Sequence, residues 1–456
     1  MTREAIGFPR KGPTMAQRHR VVILGGGFGG LGAAQKFKGA PVDVTLIDRR
    51  NFHLFQPLLY QVATGSLSPG EIAAPLRGVL SRQKNVRVLL GEAVDIDPDT
   101  KRITLLDGSN FPYDSLIVAT GSKTSYYGHD SWRTWAPSLK TIEEATAIRH
   151  KILNAFEWAE RAATEEEARQ WLTFVIVGAG ATGMELAGAL AEIANETLKN
   201  DFRSINPRDA RIILVEGGNR VLPPYPEELS AKAENLVRRL GVEVMKGAMV
   251  TGVDDSGVVC KRGEATERLA AKTVLWAGGV MTTTFGKTLA QRIKVETDRS
   301  GRIKVNADLT APSYPNIFIV GDLAVAVDER GAPLPGVAQV AIQGGAYAAK
   351  TIRARLQGKQ PSTRFRYFNK GEMAVIGRGA AVANIFGFHL SGLPAWLIWL
   401  FVHLMNIVQF QNRVLVFIQW GFEYLTFSRG ARLITGAGRS DPDRPTVSTR
   451  KTAGGA

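Results

Sequence analysis

The chain runs to 456 residues, of which 45% are hydrophobic and 22% charged; this is room for two or three folded domains and excludes a disordered or fibrous chain. Its single cysteine, Cys260, excludes an intrachain disulfide, a redox dithiol and a Cys-ligated iron–sulfur cluster, so any electron chemistry has to run on an organic cofactor. The net charge of +15 suits anionic lipid or anionic cofactors; with no zinc-finger spacing, aromatic RNA-binding signature or basic heptad helix, no nucleic acid is expected as a partner, and no metal either.

Residues 1–18 are basic, polar and Pro/Gly-containing. They lack the apolar run of a secretory signal and read as a disordered leader, with Met15 a second candidate start. Arg20-Val21-Val22-Ile23-Leu24 is a short apolar strand that runs into Gly25-Gly26-Gly27-Phe28-Gly29-Gly30. An Ala-rich helix follows, then a strand over 42–47 ending in Asp48, which completes one βαβ unit. Further strands are expected at Val86–Leu90, Arg102–Leu105 and 115–119, and helix over 142–164 and in the Glu-rich stretch that follows.

The pattern then restarts. Thr173-Phe174-Val175-Ile176-Val177 runs into Gly178-Ala179-Gly180-Ala181-Thr182-Gly183, a long helix follows, and the strand 211–215 ends in Glu216. Later strands are expected at 272–276 and 316–320, and a helix over 337–356. The fold class is therefore α/β, with two nested Rossmann-like dinucleotide-binding domains and a C-terminal membrane-associated helical region. The first domain takes 19–125 and 300–365, the second 126–299, and the membrane region 366–435. Residues 436–456 are Gly/Ser/Pro/Arg-rich and read as a disordered tail.

One Gly-x-Gly-x-x-Gly is a weak signal in a chain with 48 glycines. Here each copy follows an apolar strand, precedes a helix and is answered by an acid at the end of the next strand, which makes it far more specific. The first glycine permits the tight turn, the second lets the backbone approach a pyrophosphate, and the third lets helix and strand pack closely. The helix N-terminus then offers free N–H groups to the phosphates. The residues are Gly25, Gly27 and Gly30 with Asp48, and Gly178, Gly180 and Gly183 with Glu216. Glu216 stands 33 residues after Gly183 instead of roughly 20, so the loop near 200–209 has to absorb the excess. An acid at the ribose repels a 2′-phosphate, so Glu216 argues for NADH over NADPH, a preference that nearby Arg220 weakens.

Two nested dinucleotide folds resemble the two-dinucleotide-binding-domain flavoproteins. Val118-Ala119-Thr120-Gly121 looks like that superfamily's strand-end turn between domains, and Asn316-Ile317-Phe318-Ile319-Val320-Gly321-Asp322 like its second FAD motif. The resemblance implies that Gly121 and Asp322 hold FAD, Asp322 at the ribityl chain. It also implies that the helix starting at Ala338 aims its N-terminus at the flavin ring, where the dipole favours negative charge. Trp276-Ala277-Gly278-Gly279 is similar to the segment near the nicotinamide crevice. This gives Gly278 and Trp276 as NADH contacts, with a core aromatic the equal alternative for Trp276.

Within that superfamily, 21–429 resembles the type II NADH:quinone oxidoreductases. The specific stretches are Phe55-Gln56-Pro57-Leu58-Leu59-Tyr60-Gln61-Val62-Ala63-Thr64-Gly65, Ala338-Gln339-Val340-Ala341-Ile342-Gln343-Gly344-Gly345 and Phe368-Asn369-Lys370-Gly371-Glu372-Met373-Ala374. Gln339 and Gln343 share one helix face, and the resemblance puts them at a quinone. It puts Glu185 and Lys370 in the same catalytic region, Glu185 as a candidate for proton delivery. Glu185 also has a plain reading as an acid in a helix's first turn, and Lys370 as a surface lysine.

The stretch 379–412 holds no Asp, Glu, Lys or Arg. Its apolar run 395–410 reaches only about 24 Å as a helix, against a bilayer core of about 30 Å. His403, Asn406 and Gln409 are spaced by three, as are Gln419, Glu423 and Thr426 within 414–427. Both segments read as amphipathic helices lying in the membrane interface, with Arg413, Arg429 and Arg432 facing anionic headgroups. Packing on the protein or in a homodimer is one alternative, and a true span that recruits the flanks across Pro394 or through Gln411-Asn412-Arg413 is the other.

The resemblance implies an enzyme that takes a hydride from NADH onto FAD and passes two electrons to a membrane quinone, without proton pumping. It would sit peripherally on the cytoplasmic face of the inner or plasma membrane. A sulfide:quinone oxidoreductase or a disulfide reductase needs a redox cysteine pair that one cysteine cannot supply. A non-catalytic NADH-sensing flavoprotein remains a second reading, and multiple turnover would exclude it.

Overall fold

The computed structural model describes residues 18–435; 1–17 and 436–456, where most of the leader and the whole tail are expected, lie outside the described residues. Two parallel sheets organise the chain. The first has six strands in the order Thr310–Ala311, Tyr314–Ile319, Ser115–Val118, His19–Leu24, Val42–Asp48 and Val86–Leu90, and only its outermost pair is antiparallel. The second has four parallel strands in the order Val242–Lys246, Arg211–Glu216, Thr173–Val177 and Thr273–Trp276. Their central strands are buried on both faces, which is why they read as unbroken apolar runs instead of alternating ones.

The chain leaves the first sheet after residue 118 and rejoins it at Thr310–Ala311, so the second sheet is inserted within the first, while the helix Thr284–Arg292 already packs in the first sheet's core. In each sheet the glycine turn joins an inner strand to a helix, Phe28–Lys36 in one and Ala181–Glu192 in the other. Each helix is crossed from behind at van der Waals contact. A Cβ on Gly345, in the helix Ala338–Leu356, would lie 2.0 Å from the Gly29 carbonyl oxygen. One on Gly188 would lie 1.6 Å from the Ile376 carbonyl oxygen.

Three antiparallel sheets of three short strands each are absent from the sequence reading except for Arg102–Leu105: 93–112, 249–270 and 372–391. The helix expected over 142–164 ends at Glu160, and Thr164 caps a separate helix, Glu165–Trp171. The C-terminal region is not purely helical. Its first part is the sheet Glu372–Gly377, Ala380–Ile385 and Phe388–Ser391, which packs on Ala181–Glu192. The charge-free stretch is thus partly buried strand, because burial in protein and contact with lipid select the same residues.

Two helices follow, Leu393–Asn406 and Phe410–Thr426. Among the described residues no helix is long and apolar enough to cross a membrane. Their polarity is reversed relative to an ordinary surface helix. Asn412, Trp420 and Glu423 face the protein, whereas Phe401, Phe410, Phe417, Phe422 and Leu425 face outward, Leu425 with 84% of its surface exposed. Gln409 does not continue the first helix but caps the second.

Candidate functional site

The two glycine turns have one geometry. Gly25 and Gly178 both take φ of +100°, in the left-handed region that favours glycine. A Cβ on Gly30 would lie 1.7 Å from the Gly25 carbonyl oxygen, and one on Gly183 would lie 1.8 Å from that of Gly178. Both third glycines are therefore obligatory. The middle glycines behave oppositely: a Cβ on Gly27 or Gly180 would meet nothing within 4 Å. That open volume lies at the N-cap of each helix, where a pyrophosphate group fits and a side chain would intrude. Gly278 closes the second turn from below, its Cα only 2.9 Å from the Cβ that Gly178 lacks.

The two acids brace these turns. Asp48 accepts from Gly26 N at 2.5 Å and Arg50 N at 2.6 Å. Glu216 accepts from Ala179 N and Gly218 N, each at 2.7 Å. Carboxylate lone pairs remain for a ribose hydroxyl. Burial raises Asp48 above the usual carboxylate range, and the two backbone donors oppose it. Buried His53, which the sequence reading missed, ties the first turn further: its Nδ1 lies 3.0 Å from the Gly26 carbonyl oxygen. A carbonyl only accepts, so Nδ1 carries the proton. Arg220 donates to the Pro223 carbonyl.

Asp322 sits in the turn Gly321–Leu323 and accepts from Ser122 Oγ at 2.8 Å, with Lys140 Nζ at 3.9 Å. Ser122 directly follows Gly121, whose φ is +66°. The strand-end turn and the second FAD motif therefore meet across 200 residues. Ser122 was findable as the neighbour of a motif; Lys140 carried no signal. These groups and the open cradle at Gly27 fit a flavin dinucleotide.

Gln339 and Gln343 lie on the same face of Ala338–Leu356 and clamp one strand of chain. Gln339 Nε2 donates to the Gly371 carbonyl at 3.0 Å while Lys370 N donates to Gln339 Oε1 at 3.3 Å. Gln343 Nε2 donates to the Phe368 carbonyl at 2.9 Å while Phe368 N donates to Gln343 Oε1 at 3.0 Å. Each amide keeps one N–H and one lone pair free. Lys370 is exposed beside them. Glu185 lies in the helix after the second turn and is only partly accessible; its carboxyl has no hydrogen bond or ion pair among the described residues. Desolvation lifts it well above the usual range. Trp276 packs as a core aromatic: 3% exposed, it donates its indole N–H to the Ser125 carbonyl at 2.9 Å and touches Tyr126 and Trp132.

The pyridine nucleotide-disulphide oxidoreductase family matches 19–345, and the NDH2 C-terminal domain matches 369–429. The type II NADH:quinone oxidoreductase Ndh of Mycobacterium tuberculosis is 47% identical, over 94% of this chain and 93% of its own. The chain belongs to the type II NADH:quinone oxidoreductases. Among solved structures, an NDH2 from Plasmodium falciparum in complex with NADH aligns with TM-score 0.83 at 22% identity, over 92% of this chain and 100% of that one. The sulfide:quinone oxidoreductase of Aquifex aeolicus aligns more loosely, with TM-score 0.67 at 18% identity, over 92% and 93%. The disulphide chemistry in the broader family's description has no dithiol to use in this type II chain. Cys260 is buried, and burial pushes its thiol up to about 11.

One sequence expectation about the membrane side is corrected. Arg429 does not face headgroups: its side chain is 4% exposed and paired with Glu192 at 3.0 Å and Glu423 at 3.3 Å. Arg432 is taken by Asp201. Arg413 donates to the Ile407 carbonyl at 2.7 Å and is half-buried. Spacing finds which residues share a helix face but not which face meets the protein.

Proposed function

We propose that the chain is an FAD-dependent NADH:quinone oxidoreductase, the activity named for its mycobacterial relative. When bound, FAD supplies the chemistry: hydride acceptance from NADH and delivery of two electrons to a quinone, with no proton pumping. The chain supplies position and charge. The Gly27 and Gly180 cradles hold the two pyrophosphates, Asp48 and Glu216 the riboses, and Asp322 with Ser122 the ribityl side. Gln339 and Gln343 use their free N–H groups toward a quinone carbonyl, and Glu185 holds a proton near the nicotinamide and flavin. The observation that carries this reading is the pair of open cradles at helix N-caps in one chain.

We further infer that the outward apolar faces of Leu393–Asn406 and Phe410–Thr426 rest in a lipid surface, and that Phe386 and Phe388 extend that face. Rings and leucines exposed to this extent on two adjacent helices mark a buried surface. Arg77, exposed in a short helix beside Gln409, is placed to meet an anionic headgroup. The bound side is the cytoplasmic one, which supplies NADH.

Stopped-flow flavin absorbance tests the reading on membrane-bound protein. NADH alone should bleach the flavin, and a short-chain quinone should restore it with quinol formed. A protein without flavin, or a bleached flavin that quinone leaves bleached, would overturn it. Flotation with anionic liposomes tests the attachment; a soluble dimer with its apolar faces covered is the opposing result.

A further inference from the structure

Helix Phe410–Thr426 is apolar outward, yet its inner side carries a buried ionic cluster. Arg429, just beyond the helix, points its planar guanidinium at three separate segments. Nη2 meets Glu192 Oε2 at 3.0 Å, Nε meets Glu423 Oε1 at 3.3 Å, and Nη1 donates to the Thr64 carbonyl at 3.1 Å. Glu423 also accepts from Ser66 Oγ at 2.7 Å, and Glu192 accepts from Arg378 N at 2.5 Å. A three-way fork of this kind suits arginine and not lysine. With Arg429 and Glu423 buried and Glu192 still 22% exposed, such a cluster contributes little net stability, and its value lies in fixing which segments meet.

The partners are what make the cluster informative. Glu192 is the last residue of Ala181–Glu192, the helix that carries Glu185 two turns earlier. A π-helical turn, Ile193–Thr197, follows directly. Thr64 and Ser66 belong to the segment that also holds Tyr60 and Gln61, and Gln61 Oε1 accepts from Trp420 Nε1 at 2.8 Å. Asn412 donates to the Gly70 carbonyl, and Ala431 N to that of Gly65. The apolar hairpin, the 60–70 segment and the far end of the NADH-side helix are therefore registered on one another, with Arg429 as the shared atom group.

We propose that Arg429, with Glu192 and Glu423, is a positioning latch that fixes the apolar hairpin against the dinucleotide core and so sets the quinone-side geometry without contacting NADH or flavin. This rests on the quinone reductase reading above. The hairpin's helix Leu393–Asn406 packs on strand Glu372–Gly377, which directly continues the 368–371 segment clamped by Gln339 and Gln343, so loss of the latch should weaken quinone binding and leave flavin reduction alone.

The test is Arg429→Met in the full-length, flavin-loaded protein on anionic liposomes, with a short-chain benzoquinone as acceptor. The quinone KM should rise about tenfold, while flavin content and the rate of flavin reduction by NADH stay within about twofold. Glu192→Gln should follow with a smaller rise, Glu423→Gln with the smallest, and Arg429→Lys should recover only part of the loss. An unchanged quinone KM overturns the latch. So does a proportional fall of flavin content and both half-reactions, which is the mark of a general folding role. If Arg429→Met fails to fold, Glu192→Gln decides by the same split. Hydrogen exchange reads the latch without turnover: amides of Phe410–Thr426 should exchange faster in the variant, and those of Phe28–Lys36 should not. Equal exchange in both overturns it even if wild-type protein never reduces quinone, a result that would separately sink the proposed function.

Discussion

The turns at 25–30 and 178–183 share their backbone torsion, their helix–strand contact and their way of bracing an acid on the next strand, yet what crosses behind them differs. The first helix is crossed by Ala338–Leu356 through Gly29 and Gly345, which lays the helix that carries Gln339 and Gln343 against the helix of the first turn. The second is crossed by Glu372–Gly377 through Gly188, which brings in the sheet that leads to the apolar hairpin. A phosphate cradle is thus a repeated part, and the element laid over its helix decides what else the site can meet. The physical requirement is the same in both cases: a glycine where backbone touches backbone.

The comparison breaks most visibly at the third glycines. Gly30→Ala and Gly183→Ala insert the same methyl into the same clash, so a shared role would give equal damage. We expect unequal outcomes. Gly30→Ala should yield colourless or unfolded protein. Gly183→Ala should keep the yellow flavin band and lose NADH-driven bleaching by about a hundredfold or more, since a displaced cradle loses its charge-assisted hold on a pyrophosphate, worth several kcal/mol. Loss of flavin from both variants would show that the second turn also supports the first.

The next prediction separates the covers. Replacing Gln339 and Gln343 together by Ala removes four hydrogen bonds to 368–371. Quinone reduction should slow by about ten- to a hundredfold, and flavin bleaching by NADH should be spared. Equal slowing of both half-reactions in stopped-flow absorbance would remove these glutamines from the quinone side.

These two turns were legible because each one places its strand, its glycines and its acid within a single continuous stretch, where spacing carries the information. The late position of Glu216 was legible as an anomaly, and the structure accounts for it with the π turn Ile193–Thr197 and the short helix Pro207–Asp209. What could not be read were contacts that spacing does not encode. Strand Ala265–Ala270 is almost wholly exposed and has no apolar alternation to betray it. The strands of 372–391 hid in a charge-free run that lipid contact would have explained equally well. Arg429 and Glu423 looked like surface groups on a helix whose periodicity shows two faces and labels neither. Lys140 and His53 reach their motifs from 182 and 27 residues away with no motif beside them, whereas Ser122 was marked by following Gly121.

A pH measurement sharpens the contrast on the hairpin side. His403 is enclosed by Trp399 and Phe55, its Nδ1 2.8 Å from the Trp399 carbonyl oxygen, and burial pulls its imidazole down to about 4. The fold holds it neutral, whereas the unfolded chain protonates it near 6.5. Its contribution is therefore complete above pH 6.5 and is lost as pH falls from there toward about 4. The melting temperature of wild-type protein should drop by several degrees more than that of His403→Leu across that window. Parallel curves would mean that His403 takes up its proton in the fold as readily as in the unfolded chain.

The smallest expected effect lies at Glu185, on the NADH side. Desolvation raises its carboxyl with no cation to offset it, the reverse of the paired Glu423, where Arg429 opposes the same push. Between the ordinary carboxylate value and the raised one, folded protein holds a proton that unfolded protein has released. Stability must then fall as pH rises through that window. Glu185→Gln keeps the shape and removes the titration. The variant and wild type should melt together near pH 4, and the variant should melt higher at pH 8, by roughly 1–2 °C. Its flavin reoxidation by quinone should be slower at low pH and lack the alkaline fall expected of wild type. A melting difference that ignores pH would mean the carboxyl is already ionised in the fold, and Glu185 would then have no proton to give.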